Sequence, residues 1–521
     1  MKKAHLLILI LSFLVLFIGV TAYAWQGRMG GMGDPYGLVV DESDFLIHPA
    51  KIANGKGINF YGGYRFNYTG VSQWDSGLDV FTPAGVLSLD LPKEGSGDEQ
   101  KHDALLGATF PMGLGRMGLF FQYSGKRGDY DGRQVEWFLP ATYYFDQYDL
   151  KSNLDDFSLR LLYGVPFGGF KLGGEFQLAY RQEQNKIMYT EDFSSFYELW
   201  INSPWGKAYP GGDWRDFFPF MLPFDSRYWE ALLKGSLEGT MGPIKVAFTM
   251  RGGFIFGGGN KYKYELQAPI GSLAQQFDLD GDVKGWQMGG DLWLRYPLAN
   301  GLTLPFLLRM DYQKKTRDGD GVGLLGLTGG NIEYESREKN LQIEVGGGVD
   351  KEFGKGTRIA AGLYYGFLKN KNDFFLSMTP VLTSGIGGNY DFSKYPNQTE
   401  NRVILKLAGE KEIFPMVALR MGLDFFYGWV KEDYKFTSPG VTFIDSIPLD
   451  GHRWGIGAFL GGTVKFQRFS LEPFINAGYQ KLDLKGDGER TAPSGAIFNL
   501  LEMDKLRKEW SIGGGFSIKF N

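Results

Sequence analysis

Side chains suited to chemistry are sparse in this 521-residue chain. It has no Cys, which removes disulfides, thiolate metal sites, haem attached through Cys and an acylated lipoprotein anchor. Beyond the N-terminal stretch the histidines are His48, His102 and His452, too scattered to predict a metal site. No Gly-Lys pair is followed by Ser or Thr, so there is no P-loop to cradle a phosphate. No Ser has Gly at both −2 and +2, so the nucleophile elbow is missing too. Gly321-Val322-Gly323-Leu324-Leu325-Gly326 has the spacing of a dinucleotide fingerprint, but it sits in an Asp/Gly stretch that predicts an external loop. Asp278-Leu279-Asp280-Gly281-Asp282 and Asp318-Gly319-Asp320 look like pieces of calcium loops without the distal Glu, and are expected to be solvated loop as well. The expectation is no enzyme, no cofactor and no metal. A formal charge of −4 gives no basis for nucleic-acid binding.

The chain is instead rich in Gly (76 residues) and aromatics (16%), with a mean hydropathy of −0.21. A multi-span helical membrane protein is excluded, because it needs many apolar runs of about 20 residues. Lys2, Lys3 and His5, the apolar run Leu6 to Val20, and Ala22-Tyr23-Ala24 predict a cleaved secretory signal over residues 1–24. The protein is expected to be exported. Residues 25–56 read as a periplasmic N-terminal segment or small plug, and 57–521 as one unit.

From residue 57 apolar and polar side chains alternate with period 2 over 11 to 16 residues at a time, placing one set on each face of a strand. In 57–70 one face reads Ile58, Phe60, Gly62, Tyr64, Phe66, Tyr68, and the other Asn59, Tyr61, Gly63, Arg65, Asn67, Thr69. Such runs are twice a usual strand and long enough to cross a bilayer on a tilt. Sixteen segments lie between 57–70 and 509–520, joined alternately by short turns and long loops. The fold class is therefore all-β: a closed antiparallel transmembrane β-barrel of about 16 strands (14–18), with short periplasmic turns and long external loops. Aromatics gather near segment ends, as interfacial girdles require: Tyr68, Tyr180, Trp229, Phe256, Trp286, Trp429, Trp454, Phe466, Phe469 and Trp510.

The polar face should carry function, since a barrel of this size is too wide for side chains alone to fill. Its lumen-lining candidates are Arg65, Arg116, Arg160, Lys171, Glu175, Arg251, Asp291, Arg295, Arg309, Asp311, Arg358, Arg420 and Asp424. The full inward set counts 17 basic against ten acidic side chains, which predicts a mildly anion-favouring conduit. The longest loop, 182–227, holds 12 aromatics in 46 residues where the chain average gives about seven. Trp200, Trp205, Trp214, Phe217, Phe218, Phe220 and Phe224 are its candidates for a constriction, because such a patch is costly in water.

Over 57–521 the chain resembles the bacterial outer-membrane β-barrel proteins. Trp510-x-Ile512-x-Gly514-x-Phe516-x-Ile518-x-Phe520 looks like the terminal signature of that group, with Asn521 following the aromatic residue. Asp44-Phe45-Leu46-Ile47-His48-Pro49-Ala50-Lys51-Ile52-Ala53 is similar to the Asn-Pro-Ala motif before the first strand of the long-chain fatty-acid transporter family, with His48 in place of Asn. The residue pattern also fits a short helix with Pro49 in its first turn. The strand count resembles that of 16-stranded porins, whose third loop folds into the barrel. These likenesses imply a Gram-negative outer-membrane protein in contact with lipid and lipopolysaccharide. The first expectation for its function is a porin-like channel for small solutes. The alternatives are a gated transporter of hydrophobic or aromatic compounds and a sheath around a partner such as a cytochrome. A homo-oligomer or a periplasmic or extracellular partner protein is compatible with all three.

Overall fold

The structure, a computed structural model, describes residues 32, 38–39, 42–82, 85–89, 95–137, 143–191, 224–266, 275–325, 328–354, 356–380, 388–392, 397–437, 444–491 and 497–520. The expected signal segment 1–24 lies outside them, as do Trp200, Trp205, Trp214, Phe217, Phe218 and Phe220.

The strands run in chain order as antiparallel neighbours. They are β1 Asn59–Thr82, β2 Gly85–Leu89, β3 Gly95–Met112, β4 Gly115–Trp137, β5 Tyr143–Phe167 and β6 Phe170–Glu191. Next come β7 Phe224–Met241, β8 Ile244–Leu266, β9 Gln275–Pro297, β10 Leu302–Leu325, β11 Thr328–Glu352 and β12 Thr357–Pro380. Last are β13 Gly388–Phe392, β14 Asn397–Phe414, β15 Val417–Thr437, β16 Ile444–Lys465, β17 Phe469–Thr491 and β18 Ile497–Phe520. β2 and β13 are five-residue pieces on the outer hairpins, and the other sixteen strands form the wall. β1 pairs with β18 from Phe60↔Phe520 to Phe81↔Leu500, which closes the ring and leaves no edge. At the short-turn end, Gly113, Gly168 and Gly242 hold φ near +60° as the first residue of two-residue hairpin loops. Only Gly takes that conformation without strain, and it gives the turn a twist that suits the strands.

The outer face is an apolar belt. Phe157, Leu159, Leu161 and Tyr163 on β5, and Leu419, Met421, Leu423 and Phe425 on β15, are all exposed. Trp229, Trp286, Trp429 and Trp510 stand at the outer rim of this belt. A closed sheet with an exposed apolar girdle satisfies every backbone group within lipid, so the chain is a transmembrane barrel of the outer-membrane type. Leu423 faces outward and is 49% exposed, while Gly422 beside it is buried on the inner face. Leu423→Arg should therefore cost about 2–4 kcal/mol in a folding titration, and Gly422→Arg should mainly disturb the lumen. Equal losses from both would contradict this facing.

The wall strands are 18 to 25 residues long, well beyond the 11 to 16 expected. The extra length lies outside the rim, where both faces meet water and the apolar alternation stops while backbone pairing continues. The Asp/Gly stretches expected to be loops are strands there: Asp318 pairs with Asp282 and Asp320 with Asp280 across β9–β10, and Gly321 and Gly323 are paired too. Phe224 opens β7 opposite Asn185, so it belongs to the wall and not to a constriction loop; the third connection is 192–223.

Candidate site inside the barrel

Residues 42–54 form two short 3-10 turns, Glu42–Leu46 and Pro49–Asn54, the second with Pro at its start as the sequence pattern suggested. They touch the wall at widely separated strands. Ile52 lies against Gly118 on β4 and Gly164 on β5. The backbone of Pro49 and Ala50 passes so close to Gly173 on β6 that a Cβ there would stand 2.1 Å from the Ala50 nitrogen. The Ala50 N–H donates to Ser236 Oγ on β7 at 2.6 Å, and His48 Nδ1 lies 2.5 Å from Thr249 Oγ1 on β8. Met32, Leu38 and Val39 pack with Ala360 on β12 and Ala408 on β14. One short segment can reach β4 through β14 only from within the ring.

Wall and segment are joined by apolar and ionic contacts. Phe45, Leu46 and Ile52 are buried against Tyr61, Leu105, Phe120 and Leu162. Ile47 packs on a second apolar cluster of Ala247, Trp293, Leu307, Tyr364 and Ile404. Lys51 pairs with Asp44 at 2.9 Å, and its ammonium sits 3.9 Å over the face of Trp293. The Trp293 ring also meets the His48 imidazole edge-on at 4.4 Å. His48 is fully buried, and its Nε2 has no hydrogen-bond partner. Burial, with the Lys51 charge acting in the same direction, lowers its pKa to about 3, so the ring is neutral.

The ionic ladder on the wall gathers most of the residues proposed from sequence. Arg160 donates to both oxygens of Glu175 at 2.8 and 3.0 Å and to the Leu46 carbonyl at 2.5 Å; Lys234 joins the same carboxylate. Arg251 bridges Asp291 and Asp311, and Arg309 meets Asp291 at 2.7 Å. Asp350 holds Arg295 and Arg358, while Arg295 also donates to the Leu38 carbonyl. Arg420 pairs with Glu410 and Glu472. Arg116 donates to Thr109, and Lys171 lies 3.6 Å from Glu238. Arg65 stands in register with Asp103 and Asp424 with Lys406, outside these clusters. Pairing with acids localises most of these cations, but it does not remove the excess of basic over acidic inward side chains on which the expected anion preference rests. Glu183, Glu338, Glu400 and Glu432 are further acids that lie beyond the alternating segments in the sequence, each paired with a basic side chain. Replacing Glu175 with Gln leaves Arg160 and Lys234 buried without their counter-charge, at a cost of about 3–5 kcal/mol. A lowered chemical-denaturation midpoint in detergent checks it.

Two cavities flank this segment in one half of the lumen. One, of about 420 Å³ toward the short turns, is lined by Lys51, Lys245, Ala247, Trp293 and Thr303. The other, of about 230 Å³ toward the loops, is lined by Arg251, Gln287, Asp311 and Gln313. Between them along β8, β9 and β10 stand Thr249, Asp291 and Arg309, with His48 docked on Thr249. This layer lies between the two spaces. Thr249, Ser236 and Trp293 were not nominated from sequence; no local pattern marks them, and only the register brings them to the segment.

No protein-family model matches this chain, and no curated protein matches it. Among solved structures it is similar to a FadL homologue of Pseudomonas aeruginosa, at 11% identity over 96% of this chain and 99% of that one, with a TM-score of 0.42. It is also similar to the Pseudomonas putida toluene transporter TodX, at 12% identity over 94% and 98% with a TM-score of 0.37. A third is the CymD monoaromatic hydrocarbon channel, at 10% identity over 97% and 98% with a TM-score of 0.35.

Proposed function

We propose that this barrel is a gated transporter of hydrophobic or aromatic compounds across the outer membrane, with residues 42–54 as its plug. The observation that carries the reading is the layer of His48, Thr249, Asp291 and Arg309 between the two cavities. A passive diffusion channel needs a continuous wet lumen, and the porin-like reading fits a plugged wall less well.

The cargo class follows from what the plug covers. Tyr61, Leu105, Phe120 and Leu162 face inward beneath it, and Trp293, Leu307, Tyr364 and Ile404 lie beside it. Withdrawal of the segment exposes these apolar patches, which suit an apolar solute better than an ion. The likeness of residues 44–53 to the fatty-acid transporter motif points the same way.

Planar-bilayer recording and uptake assays test this. At neutral pH the intact protein should be nearly silent, and cells carrying it should take up toluene faster than glucose relative to cells without it. A steady ohmic conductance at neutral pH, with no preference for the apolar solute, would overturn the proposal.

A further inference from the structure

Beyond the outer aromatic rim the two halves of the barrel differ. On the β6–β11 side the sheet curls on itself. Glu183 of β6 reaches across to Lys315 and Arg317 of β10, and both cations also pair with Glu338 of β11. Tyr228 donates to Glu183 at 2.6 Å. Ser226, Asn260, Arg317 and Ser336 are almost wholly buried there, packed with Tyr228, Ile255 and Val283. Glycines relieve crowding between its neighbouring strands: a Cβ on Gly281 of β9 would lie 1.9 Å from the Asp318 carbonyl oxygen of β10. This half is a solid lobe.

On the other side two cavities run down the inner face. The outer one, of about 470 Å³, lies among β12 and β14–β18 and includes Asn370, Asn372, Gln398, Gln480 and Arg507. The inner one, of about 220 Å³, includes Thr69, Phe426, Phe459 and Asn476. Both are lined by Gln480 and Glu509, which hydrogen-bond to each other, so the two spaces meet at that pair.

The lining has a consistent chemistry. Each basic side chain of the outer cavity has its own carboxylate: Arg453 with Glu400 at 3.0 Å, Lys505 with Glu432 at 2.7 Å, Lys481 with Asp483 at 2.9 Å, and Arg507 with Glu509. An ion gains little from such a wall. Four carboxamides stand among these pairs; buried Gln398 Nε2 here and Asn476 Oδ1 in the inner cavity lack hydrogen-bond partners. An orphan donor and an orphan acceptor suit a neutral group that both accepts and donates hydrogen bonds. Phe426 and Phe459 below offer an apolar surface to the remainder of such a solute.

We propose that solutes enter from outside down the β12 and β14–β18 half through these joined cavities, and that the Gln480–Glu509 junction selects apolar compounds bearing a neutral hydroxyl or amide group over carboxylates. The inference rests on the reading of the barrel as a transporter and narrows its cargo to phenol- and alkanol-like molecules.

The chain has no Cys, so single-Cys variants of the full protein report accessibility directly. Gln480→Cys, Asn372→Cys, Ser226→Cys and Ser336→Cys are displayed on cells, with folding verified by heat-modifiable migration. A membrane-impermeant thiol reagent is then added outside. The first two should react at least about tenfold faster than the second two, whose exposure needs local opening of the lobe. Equal rates, or faster labelling of the lobe, would overturn the route. Phenol should slow labelling at Gln480→Cys while benzoate does not; protection by benzoate as strong as by phenol would overturn the selectivity. Labelling reads the outer route whether or not the plug opens, so a failure of gated transport is seen separately in the uptake assay.

Discussion

Gly173→Val should give a folded barrel whose lumen conducts at neutral pH. The substituted Cβ would stand 2.1 Å from the Ala50 nitrogen and 2.3 Å from the Pro49 carbonyl carbon, so it meets plug backbone, which cannot swing aside as a side chain can. Overpacking of this kind costs about 1–3 kcal/mol, which corresponds to a roughly 5- to 150-fold fall in the ratio of docked to undocked plug. The clash falls on the second turn, where it opposes the Ala50 N–H to Ser236 bond, worth about 0.5–1.5 kcal/mol, and so lifts residues 49–50 off β6 and β7. Val is well suited to a strand, and the wall itself should tolerate it. Gly174→Val is the control. Its Cβ points to the outer face, where the nearest heavy atom is the Lys234 carbonyl oxygen at 3.8 Å. Conductance in planar bilayers should rise for Gly173→Val and stay at the parental level for Gly174→Val. Equal behaviour of the two variants would remove residues 49–50 from the gate.

How far the sequence reveals this arrangement depends on which solvent imposes each pattern. Inside the membrane, lipid on one face and lumen on the other force the period-2 alternation of segments such as 57–70 and 509–520, so the wall and its facing are legible. Outside the rim that contrast disappears. Strands such as Gln275–Pro297 and Leu302–Leu325 therefore continue through Asp/Gly stretches that look like loops. The cross-lumen ion pairs share the same fate. Arg160 and Glu175 lie in adjacent strands and their pairing follows from the hairpin, but Glu183 and Arg317 are 134 residues apart. Their meeting depends on how the sheet curls. The motif at 44–53 marks a special segment; its partners Thr249, Ser236 and Trp293 carry no mark, because a Ser or Thr on an inner wall face is ordinary until a backbone or imidazole reaches it.

Acidification should open the pore through His48. Docked, the imidazole is buried among Thr249, Trp293, Lys51, Asp291, Arg309 and Arg251, and its pKa is lowered from the ordinary 6.5 to about 3, chiefly by burial and then by Lys51, with Asp291 opposing. Undocked, it meets water and titrates near its ordinary value. Between these values the undocked plug binds more protons than the docked one, so docking is fully favoured above about pH 6.5 and weakens as pH falls toward 3. The slope is about 1.4 kcal/mol per pH unit, and a drop of two units below 6.5 weakens docking by roughly 2.7 kcal/mol, about a hundredfold in the docked ratio. Asp44 and Asp291 are the nearby carboxylates; ordinary Asp titrates near about 3.9, so the window from about pH 6.5 to 5 belongs to the imidazole. Bilayer conductance recorded from neutral pH downward should rise through that window. His48→Asn keeps a polar side chain toward Thr249 but carries no titrating ring, so its conductance should stay flat over the same range. A parental protein that stays closed to pH 4.5, or an Asn variant that opens along the same curve, would show that the docked imidazole does not set the gate.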